Sequence, residues 1–213
     1  MVAADPRPLV VSGDCTTSLA TLAGTQRAGS SPAVVWVDAH GDFNTEETTR
    51  SGYLGALPLA KICGLGDLEI VHGLGLEPIA AERVLLVGAR DLDVKEDALL
   101  TAQGVGRAAV DDLDGEDLSP GPLLLHLDVD IADPGDLPGL RFPTPGGPTR
   151  AELIAAIALI RASGEVVAVD IGLTLKPDRD ADRRRADFVE AILEPLVLGW
   201  VTDGTLTRGS PGI

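Results

Sequence analysis

Cysteine is scarce in this sequence of 213 residues, which contains only Cys15 and Cys63. Two cysteines are too few for the disulfide framework that stabilises small secreted proteins. The N-terminal residues do not combine a basic start with an apolar run, so we expect no secretory signal peptide. Both absences favour a reducing, cytoplasmic setting.

Basic residues and long apolar runs are also in short supply. Lys and Arg number 17 against 33 Asp and Glu, which gives a formal net charge of −16 at pH 7. Nucleic acids and anionic membrane surfaces attract basic patches, so we expect neither as a partner. The apolar runs are far shorter than the roughly 20 residues that cross a bilayer. Hydrophobic residues nevertheless make up 45% of the chain, and we expect one globular domain over residues 1–213.

Short aliphatic runs recur along the chain, and each ends in polar residues. The runs cover 9–11, 34–37, 84–87, 123–127 and 166–169. Such runs are typical of strands buried on both faces of a parallel sheet. Helical spacing follows over 149–162, with Thr149 as the expected cap, and over 180–198, starting at Asp180. This alternation predicts a doubly wound α/β sheet with its ligand at the carboxyl ends of the strands.

Two stretches rich in Gly and Pro, 64–78 and 134–148, predict long loops within the domain. We expect His72, in the first stretch, to face solvent. His126 lies two residues before Asp128 in the fourth aliphatic run, so the two side chains share a face. We expect His126 to be buried in the sheet.

Potential metal ligands follow two of the runs. Asp38, His40 and Asp42 alternate directly after the second run, and Asp128 and Asp130 alternate at the end of the fourth. In an extended chain a period of two points alternate side chains the same way, so each group is expected to converge. Lone Asp-x-Asp pairs more often lie in solvated turns, but two groups placed after apolar runs favour a metal centre. Several carboxylates and one imidazole suit Mn²⁺, and two such ions could activate a shared water to attack a carbon centre.

Four segments resemble motifs of the arginase and agmatinase (ureohydrolase) superfamily and occur in the same order. They are Ser12-Gly-Asp-Cys15, Asp38-Ala-His-Gly-Asp-Phe-Asn44, Gly88-Ala-Arg-Asp-Leu-Asp93 and Leu127-Asp-Val-Asp-Ile-Ala-Asp-Pro134. The resemblance implies a three-layer αβα fold with a mainly parallel sheet, and a manganese-dependent hydrolase of linear amidines. Homo-oligomers occur in this superfamily, so a homo-oligomer is a possible assembly. The resemblance also implies an N-terminal strand and helix ahead of the first motif. Either this part of the fold is shortened in this protein, or a segment is absent from this sequence.

Transferred to the matching positions, the resemblance implies a pair of manganese sites. The implied ligands are Cys15, Asp38, His40, Asp42, Asp128 and Asp130. Asp38 and Asp128 would belong to both sites, with Cys15 and Asp42 completing the first. His40 and Asp130 would complete the second site. Asp42 and His40 are the expected catalytic residues, and Asp42 would orient the attacking water and relay a proton.

The same resemblance implies how an amino-acid substrate is held. Asn44, Thr49 and Ser51 occupy the segment that binds the α-carboxylate in arginases, and Asp93 occupies the position that contacts the α-amino group. The expected partner is therefore a small guanidino amino acid.

The sequence departs from arginases around the substrate's head group. Cys15 replaces a histidine ligand, and because Mn²⁺ is a poor match for thiolate we expect weak binding at that site. Gly55 stands where arginases carry a proton-shuttling histidine. Leu173 stands where they carry a glutamate that grips the guanidinium, and Phe142 replaces a small hydroxyl residue. The exchange of histidine for Cys15 resembles relatives that hydrolyse N-hydroxyarginine.

The favoured hypothesis is hydrolysis of N-hydroxy-L-arginine to ornithine and hydroxyurea in preference to L-arginine. Facing Leu173 instead of a glutamate, a guanidinium would lose a charge-assisted hydrogen bond of about 1.5–3 kcal/mol. The alternative is a catalytically silent arginase-like protein that binds an amino acid or serves as a subunit of an assembly. A deacetylase-like zinc enzyme is disfavoured by the motif that begins at Asp38.

Overall fold

The computed structural model of the protein describes residues 7–177 and 182–202. Within these residues, one parallel sheet contains β1 (Leu9–Ser12), β2 (Ala33–Val37), β3 (Val84–Val87), β4 (Gly106–Ala108), β5 (Pro122–Asp128) and β6 (Glu165–Gly172). The strands lie in the order β1-β6-β5-β2-β3-β4, and all neighbours run parallel.

Helices cover both faces of this sheet. In the described ranges they are α1 (Ser18–Arg27), α2 (Pro58–Ile62), α3 (Glu69–Leu74), α4 (Val94–Gln103), α5 (Arg150–Ser163) and α6 (Asp182–Thr202). The first four pack on one face, and α5 and α6 pack on the other. None of the helices in the part of the chain that the structure describes is both long and apolar enough to cross a membrane.

Alternate side chains of the four central strands, β2, β3, β5 and β6, supply two separate cores. On β2, Val35 and Val37 join the cluster beneath α5 and α6, whereas Val34 and Trp36 join the cluster beneath α1 to α4. Successive side chains of a strand point to opposite faces, so a strand covered on both faces must be apolar throughout. The predicted three-layer αβα fold with a mainly parallel sheet is confirmed.

The winding direction of the sheet changes beside β2. The chain passes from β1, at one edge of the sheet, to β2 in its interior, and then through β3 to β4 at the opposite edge. It then returns, and β5 and β6 fill the two places between β2 and β1. Ligands of open α/β sheets bind outside the carboxyl ends of the strands at such a switch point. The metal-ligand motifs directly follow β2 and end β5, so the fold brings them to this position.

All five aliphatic runs form strands, as predicted. The pattern gives no signal for β4, because that strand has only three residues and no aliphatic run. The helix predicted over 149–162 is α5, and the helix predicted over 180–198 corresponds to α6. Asp180, the predicted start of the latter, lies outside the described residues.

The prediction of a loop is wrong over part of 64–78, where α3 lies. This helix is short and contains Gly73, so local propensity does not predict it. Val71 is fully buried against the core beneath α1 to α4, and this packing stabilises the helix. His72 is exposed as predicted, but on α3. The stretch 134–148 contains neither helix nor strand, as predicted.

The cap of α5 offers a direct test of local stability. The Thr149 hydroxyl accepts a hydrogen bond from Glu152 N at 3.3 Å, and the Glu152 carboxylate accepts one from Thr149 N at 2.7 Å. Thr149→Ala should lower the free energy of unfolding by about 1 kcal/mol, because a helix amide loses its acceptor. Thr149→Ser keeps the hydroxyl and is the matched control. Equal urea midpoints for the two variants would contradict this role of the hydroxyl.

Candidate metal centre and substrate cavity

A cavity of ≈ 410 Å³ opens at the carboxyl ends of β2 and β5. A volume of this size suits an amino acid or another small molecule. The side chains predicted as metal ligands or substrate contacts all line it, namely Cys15, Asp38, His40, Asp42, Asn44, Thr49, Ser51, Asp93, Asp128 and Asp130. The structure therefore brings together residues that are up to 115 positions apart in the chain, from Cys15 to Asp130.

Asp38 lies at the centre of this group, immediately after β2. Its Oδ2 accepts a hydrogen bond from Trp36 Nε1 at 3.1 Å, and its Oδ1 accepts one from His40 N at 2.7 Å. Both carboxylate oxygens are thus oriented by the segment to which Asp38 belongs. The side chain is 1% exposed, and Asp38 belongs to both groups of potential metal-ligating side chains, one with His40 and Asp130 and one with Cys15 and His126.

His40 and Asp130 complete one ligand group around Asp38. Nδ1 of His40 lies 3.3 Å from Asp38 Oδ1 and 3.2 Å from Asp130 Oδ2. Nε2 lies 3.4 Å from the hydroxyl of Thr144. The three donor atoms of His40, Asp38 and Asp130 lie within 4.8 Å of one another. Because Nδ1 faces the two carboxylates, this geometry suits a ligand better than a free general base.

Asp128 connects this group to Cys15. Its Oδ2 accepts hydrogen bonds from Cys15 Sγ at 2.8 Å and from Thr174 Oγ1 at 3.0 Å, and its Oδ1 accepts one from Asp130 N at 2.9 Å. A Cβ atom at Gly172, the last residue of β6, would lie 3.1 Å from both Asp128 Oδ2 and Cys15 Sγ. The absence of a side chain there lets the thiol and the carboxylate approach.

The candidate ligands converge as predicted, but the segments that carry them are not extended throughout, as the alternation of side chains would require. After Asp128 the chain enters a 3-10 turn, Val129–Ile131, and Asp42 has a φ of +47°. Left-handed backbone is unfavourable for most residues and less so for Asp, so contacts must hold it. The Asp42 carbonyl accepts hydrogen bonds from Leu59 N at 3.0 Å and Ala60 N at 3.3 Å, at the start of α2. Helix α2 therefore aims Asp42 into the cavity.

The buried carboxylates repel one another. Burial and then the charge of Asp130 raise the pKa of Asp128 to about 6, while burial and then the charge of Asp38 raise the pKa of Asp130 to about 7. Burial, followed by the charges of Asp38 and Asp128, also raises the pKa of Asp42. Burial lowers the pKa of His40, but hydrogen bonds to Asp130 and Asp38 outweigh it and raise that pKa to about 11. One imidazolium cannot balance four carboxylates.

The donor set fits a pair of divalent cations. Oδ2 of Asp42, Oδ1 of Asp130 and Nε2 of His126 are buried and have no hydrogen-bond partner among the described residues. Unpartnered buried polar atoms are unfavourable unless something else coordinates them. A second group of donors, from Cys15, Asp38 and His126, also lies within 4.8 Å and shares Asp38 with the first. The two groups of donors that share Asp38 could therefore hold two adjacent divalent cations.

The side chains expected to hold the amino-acid end of a substrate lie on the segment that follows Asp42. Asn44 is 4% exposed, and its Oδ1 accepts a hydrogen bond from Thr48 Oγ1 at 2.9 Å. Thr49 and Ser51 also line the cavity. Asp93 faces them from the start of α4, with its Oδ1 3.3 Å from Arg50 Nη1.

The arginase-family model matches residues 1–198 of the chain. The chain belongs to the arginase family. An N(omega)-hydroxy-L-arginine amidinohydrolase of Streptomyces lavendulae is 35% identical over 199 residues, which are 91% of this chain and 68% of that protein. An arginase of Bacillus subtilis is 32% identical over 208 residues, 90% of this chain and 70% of that protein. The structure of Bacillus caldovelox arginase aligns with a TM-score of 0.78 at 30% identity, over 91% of this chain and 69% of that one. The superfamily predicted from the motifs is confirmed, and its members are hydrolases of guanidino C–N bonds.

The prediction that Leu173 faces the head group of the substrate is wrong. Leu173 packs against the core beneath α5 and α6, and Thr174 is the residue that lines the cavity. The strand β6 ends at Gly172, and Leu173 N donates to Ser12 O at 2.8 Å, so the chain turns there and the next side chain faces the ligand. A substrate head group would meet a hydroxyl at Thr174 and would not meet Leu173.

Gly55 and Phe142, two further departures from arginases, do border the cavity. A Cβ atom at Gly55 would lie 2.5 Å from the Tyr53 ring and 2.9 Å from Asp14 Oδ2. The Tyr53 hydroxyl donates to that Asp14 carboxylate, so the two side chains occupy the space beside Gly55. Phe142 lies edge-on to His40 with ring centroids 6.3 Å apart, and its ring is 5.0 Å from that of Tyr53.

Several cavity residues carry no motif that sequence reasoning uses. Tyr53, Arg141, Thr174 and Glu96 line the cavity in addition to the predicted set. Only Glu96 has a local signal, because its spacing from Asp93 is that of a capping box. Its carboxylate accepts hydrogen bonds from Phe43 N at 2.9 Å and Asp93 N at 3.3 Å. Glu96 thereby connects the segment that follows β2, which carries Asp38, His40 and Asp42, to the start of α4.

Because neighbouring carboxylates repel Asp42, one substitution at this position should have opposite effects on stability in the metal-free and the metal-loaded protein. Asp42→Asn should raise the free energy of unfolding of the metal-free protein by about 1–3 kcal/mol, because an uncompensated buried charge is removed. The same variant should lose part of the stabilisation by Mn²⁺, which grows with ligand concentration over Kd. Asn also tolerates the left-handed backbone of this position.

Thermal unfolding with and without MnCl₂ measures both effects. Asp112→Asn removes the same charge at an exposed position and is the control. An Asp42→Asn protein with unchanged metal-free stability and a full Mn²⁺ shift would remove Asp42 from the candidate centre.

Proposed function

We propose that the protein is a manganese-dependent amidinohydrolase that cleaves a linear C–N bond of a guanidino or N-hydroxyguanidino amino acid. N-hydroxy-L-arginine, hydrolysed to ornithine and hydroxyurea, is favoured over L-arginine. The observation that carries the proposal is one cavity that joins buried carboxylates and His40 to the segment from Asn44 to Ser51. The expected metal ligands and the expected amino-acid-binding side chains line the same cavity of ≈ 410 Å³, a volume that suits one small substrate.

Each end of the cavity has chemistry suited to one end of such a substrate. Asn44, Thr49 and Ser51 offer neutral hydrogen-bonding groups for an α-carboxylate, and Asp93 offers an anion for an α-ammonium group. The carboxylates around Asp38 lie at the other end. Bound manganese would lower the pKa of a water and polarise the head group.

The chain's own residues supply orientation and proton transfer. The free Oδ2 of buried Asp42 can accept a proton from the attacking water. The water oxygen then bonds to the guanidino carbon, the bond from that carbon to the side-chain nitrogen breaks, and this nitrogen takes up a proton. Phe142 and Tyr53, whose rings are 5.0 Å apart, both line the cavity and give this part of it an apolar wall.

The preference for a hydroxylated head group is supported by two features of the site. Thr174 presents a neutral hydroxyl, and a neutral partner stabilises a cationic guanidinium about half as strongly as a carboxylate does. Gly55 offers no side chain to deliver a proton to the leaving nitrogen. A less basic N-hydroxyguanidine depends less on either group. The relative of Streptomyces lavendulae that is 35% identical carries the name of this activity.

Ornithine release from L-arginine and from N-hydroxy-L-arginine, measured side by side with Mn²⁺, tests this preference. We expect kcat/KM at least about 10-fold higher for the hydroxylated substrate, equivalent to about 1.4 kcal/mol in the transition state. Asp42→Asn should abolish ornithine release, which would show that the release depends on this site. Higher turnover of L-arginine would overturn the preference, and no turnover of either by manganese-loaded protein would support the catalytically silent alternative.

The amino-acid end can be tested separately at Asp93. Asp93→Asn should raise KM about 10-fold or more with a smaller change in kcat, because the α-ammonium group is bound equally in ground and transition states. Asn is as good a helix cap as Asp, so α4 should remain intact. Asp97→Asn, which changes an exposed carboxylate on the same helix, is the matched control. An unchanged KM in Asp93→Asn would remove Asp93 from the substrate contacts.

A further inference from the structure

His126 is held rigidly in the middle of the sheet, directly beneath the candidate metal centre. It lies on β5, in register with Trp36 of β2 and Asp170 of β6. Its ring stacks on the Trp36 indole at a centroid distance of 3.6 Å and an interplanar angle of 21°. The side chain is 0% exposed. The imidazole therefore has one orientation and no access to bulk water.

Asp170 determines which nitrogen of this imidazole carries the proton. Nδ1 of His126 lies 3.1 Å from Asp170 Oδ1. The other oxygen of Asp170 accepts a hydrogen bond from the Thr21 hydroxyl of α1. A carboxylate can only accept from the imidazole, so Nδ1 is the donor, and in the neutral ring Nε2 then carries the lone pair.

Nε2 is the unpartnered nitrogen of this ring. It makes no hydrogen bond to any described residue. A ring nitrogen of His126 lies within 4.8 Å of Cys15 Sγ and of a carboxylate oxygen of Asp38, which are likewise within 4.8 Å of each other. Because Asp170 occupies Nδ1, Nε2 is the nitrogen available to an ion placed among them. A buried imidazole acceptor left unpaired is unfavourable by about 1–3 kcal/mol. An imidazole whose only role was to fill the sheet would not need this atom to face a thiol and a carboxylate.

We propose that Nε2 of His126 is a metal ligand, which together with Cys15 and Asp38 forms an inner site selective for Zn²⁺ over Mn²⁺. Cys sulfur, His nitrogen and Asp oxygen are the ligands that Zn²⁺ takes, at about 2.0–2.3 Å. Donors already within 4.8 Å of one another need only small movements to share one ion. The thiol proton, which Cys15 now donates to Asp128, leaves to solvent as the site is loaded.

The contacts behind His126 match those of metal-binding histidines. Such histidines donate their second nitrogen to a carboxylate or carbonyl, which fixes the ring and makes it a better ligand. The chain Thr21–Asp170–His126 provides this arrangement, and Trp36 adds a flat wall against the ring. It requires neither a new residue nor a rearrangement of the sheet.

The inference makes the two halves of the centre chemically different. The group of His40, Asp38 and Asp130 has mainly oxygen donors and suits Mn²⁺, whereas Cys15 and His126 add softer donors on the other side of Asp38. Zn²⁺ also binds a given donor set more tightly than Mn²⁺ does. The proposal rests on the proposed function only in that both use Asp38 as a ligand.

Zn²⁺ affinity, measured by competition with a chromophoric chelator, tests the role of His126. His126→Asn keeps a side-chain amide opposite Asp170 and removes the atom at Nε2. We expect it to weaken Zn²⁺ binding by more than about 100-fold, beyond the range for residues that only orient a ligand. Asp170→Asn should weaken binding by about 10–100-fold, as a positioning residue. His72→Asn, on exposed α3, should bind Zn²⁺ as the unsubstituted protein does. Unchanged affinity in a folded His126→Asn protein would overturn the proposal.

A measurement on the unsubstituted protein decides the question even if His126→Asn does not fold. The chain has only three histidines, so ¹⁵N-histidine NMR gives six ring-nitrogen signals. Addition of Zn²⁺ should shift the Nε2 signal of His126 as a metal-bound nitrogen, with Nδ1 still protonated. An Nε2 signal of His126 that stays in place in zinc-loaded protein would overturn the proposal. Neither measurement uses turnover, so failure of the amidinohydrolase assay would leave this result standing, and the reverse also holds.

Discussion

The crowding of buried carboxylates at the ends of β2 and β5 constrains the structure around it. Asp38, Asp42, Asp128 and Asp130 are each at most 6% exposed, and the His40 imidazole lies in direct contact with Asp38 and Asp130. In a medium of low polarity such repulsion would open the site if the backbone could move. The parallel sheet and the hydrogen bonds to its following segments resist that opening. Because the carboxylates repel one another, the binding of cations between them is favourable.

The backbone around the site is specialised to keep these side chains close. A Cβ atom at Gly41 would lie 2.7 Å from Glu96 Oε1, so the glycine lets Glu96 accept hydrogen bonds from Phe43 N and Asp93 N. Gly172 gives Cys15 and Asp128 the corresponding space on the other side. Both glycines are needed for close approach, and neither contributes a ligand. The result is a rigid lining with few alternative arrangements.

The cavity brings the proposed substrate anchors and the proposed metal ligands together. Asn44, Thr49 and Ser51, the expected anchors, line it along with Cys15, Gly55 and Thr174. In the proposed inner site, Cys15 is the softer ligand and His126 the oriented imidazole. These two residues would select the ion, while the expected anchors of the substrate lie on the separate segment from Asn44 to Ser51.

Motif and periodicity were sufficient to predict the family, the strands that precede or carry the candidate ligands, the helix α5 and the candidate ligand and substrate residues that line the cavity. These features depend on local patterns, and residues such as Asp38 and Asp128 are recognised by their neighbours in the chain. The packing of α3, the turn after Gly172 that exchanges Leu173 for Thr174, and the left-handed Asp42 depend on contacts between distant segments. So does the exposure of His126 Nε2 to the metal centre, because it requires Asp170 and Trp36 on two neighbouring strands. A linear pattern carries periodicity and spacing, whereas the direction of a buried lone pair is set by partners that only the folded sheet brings together.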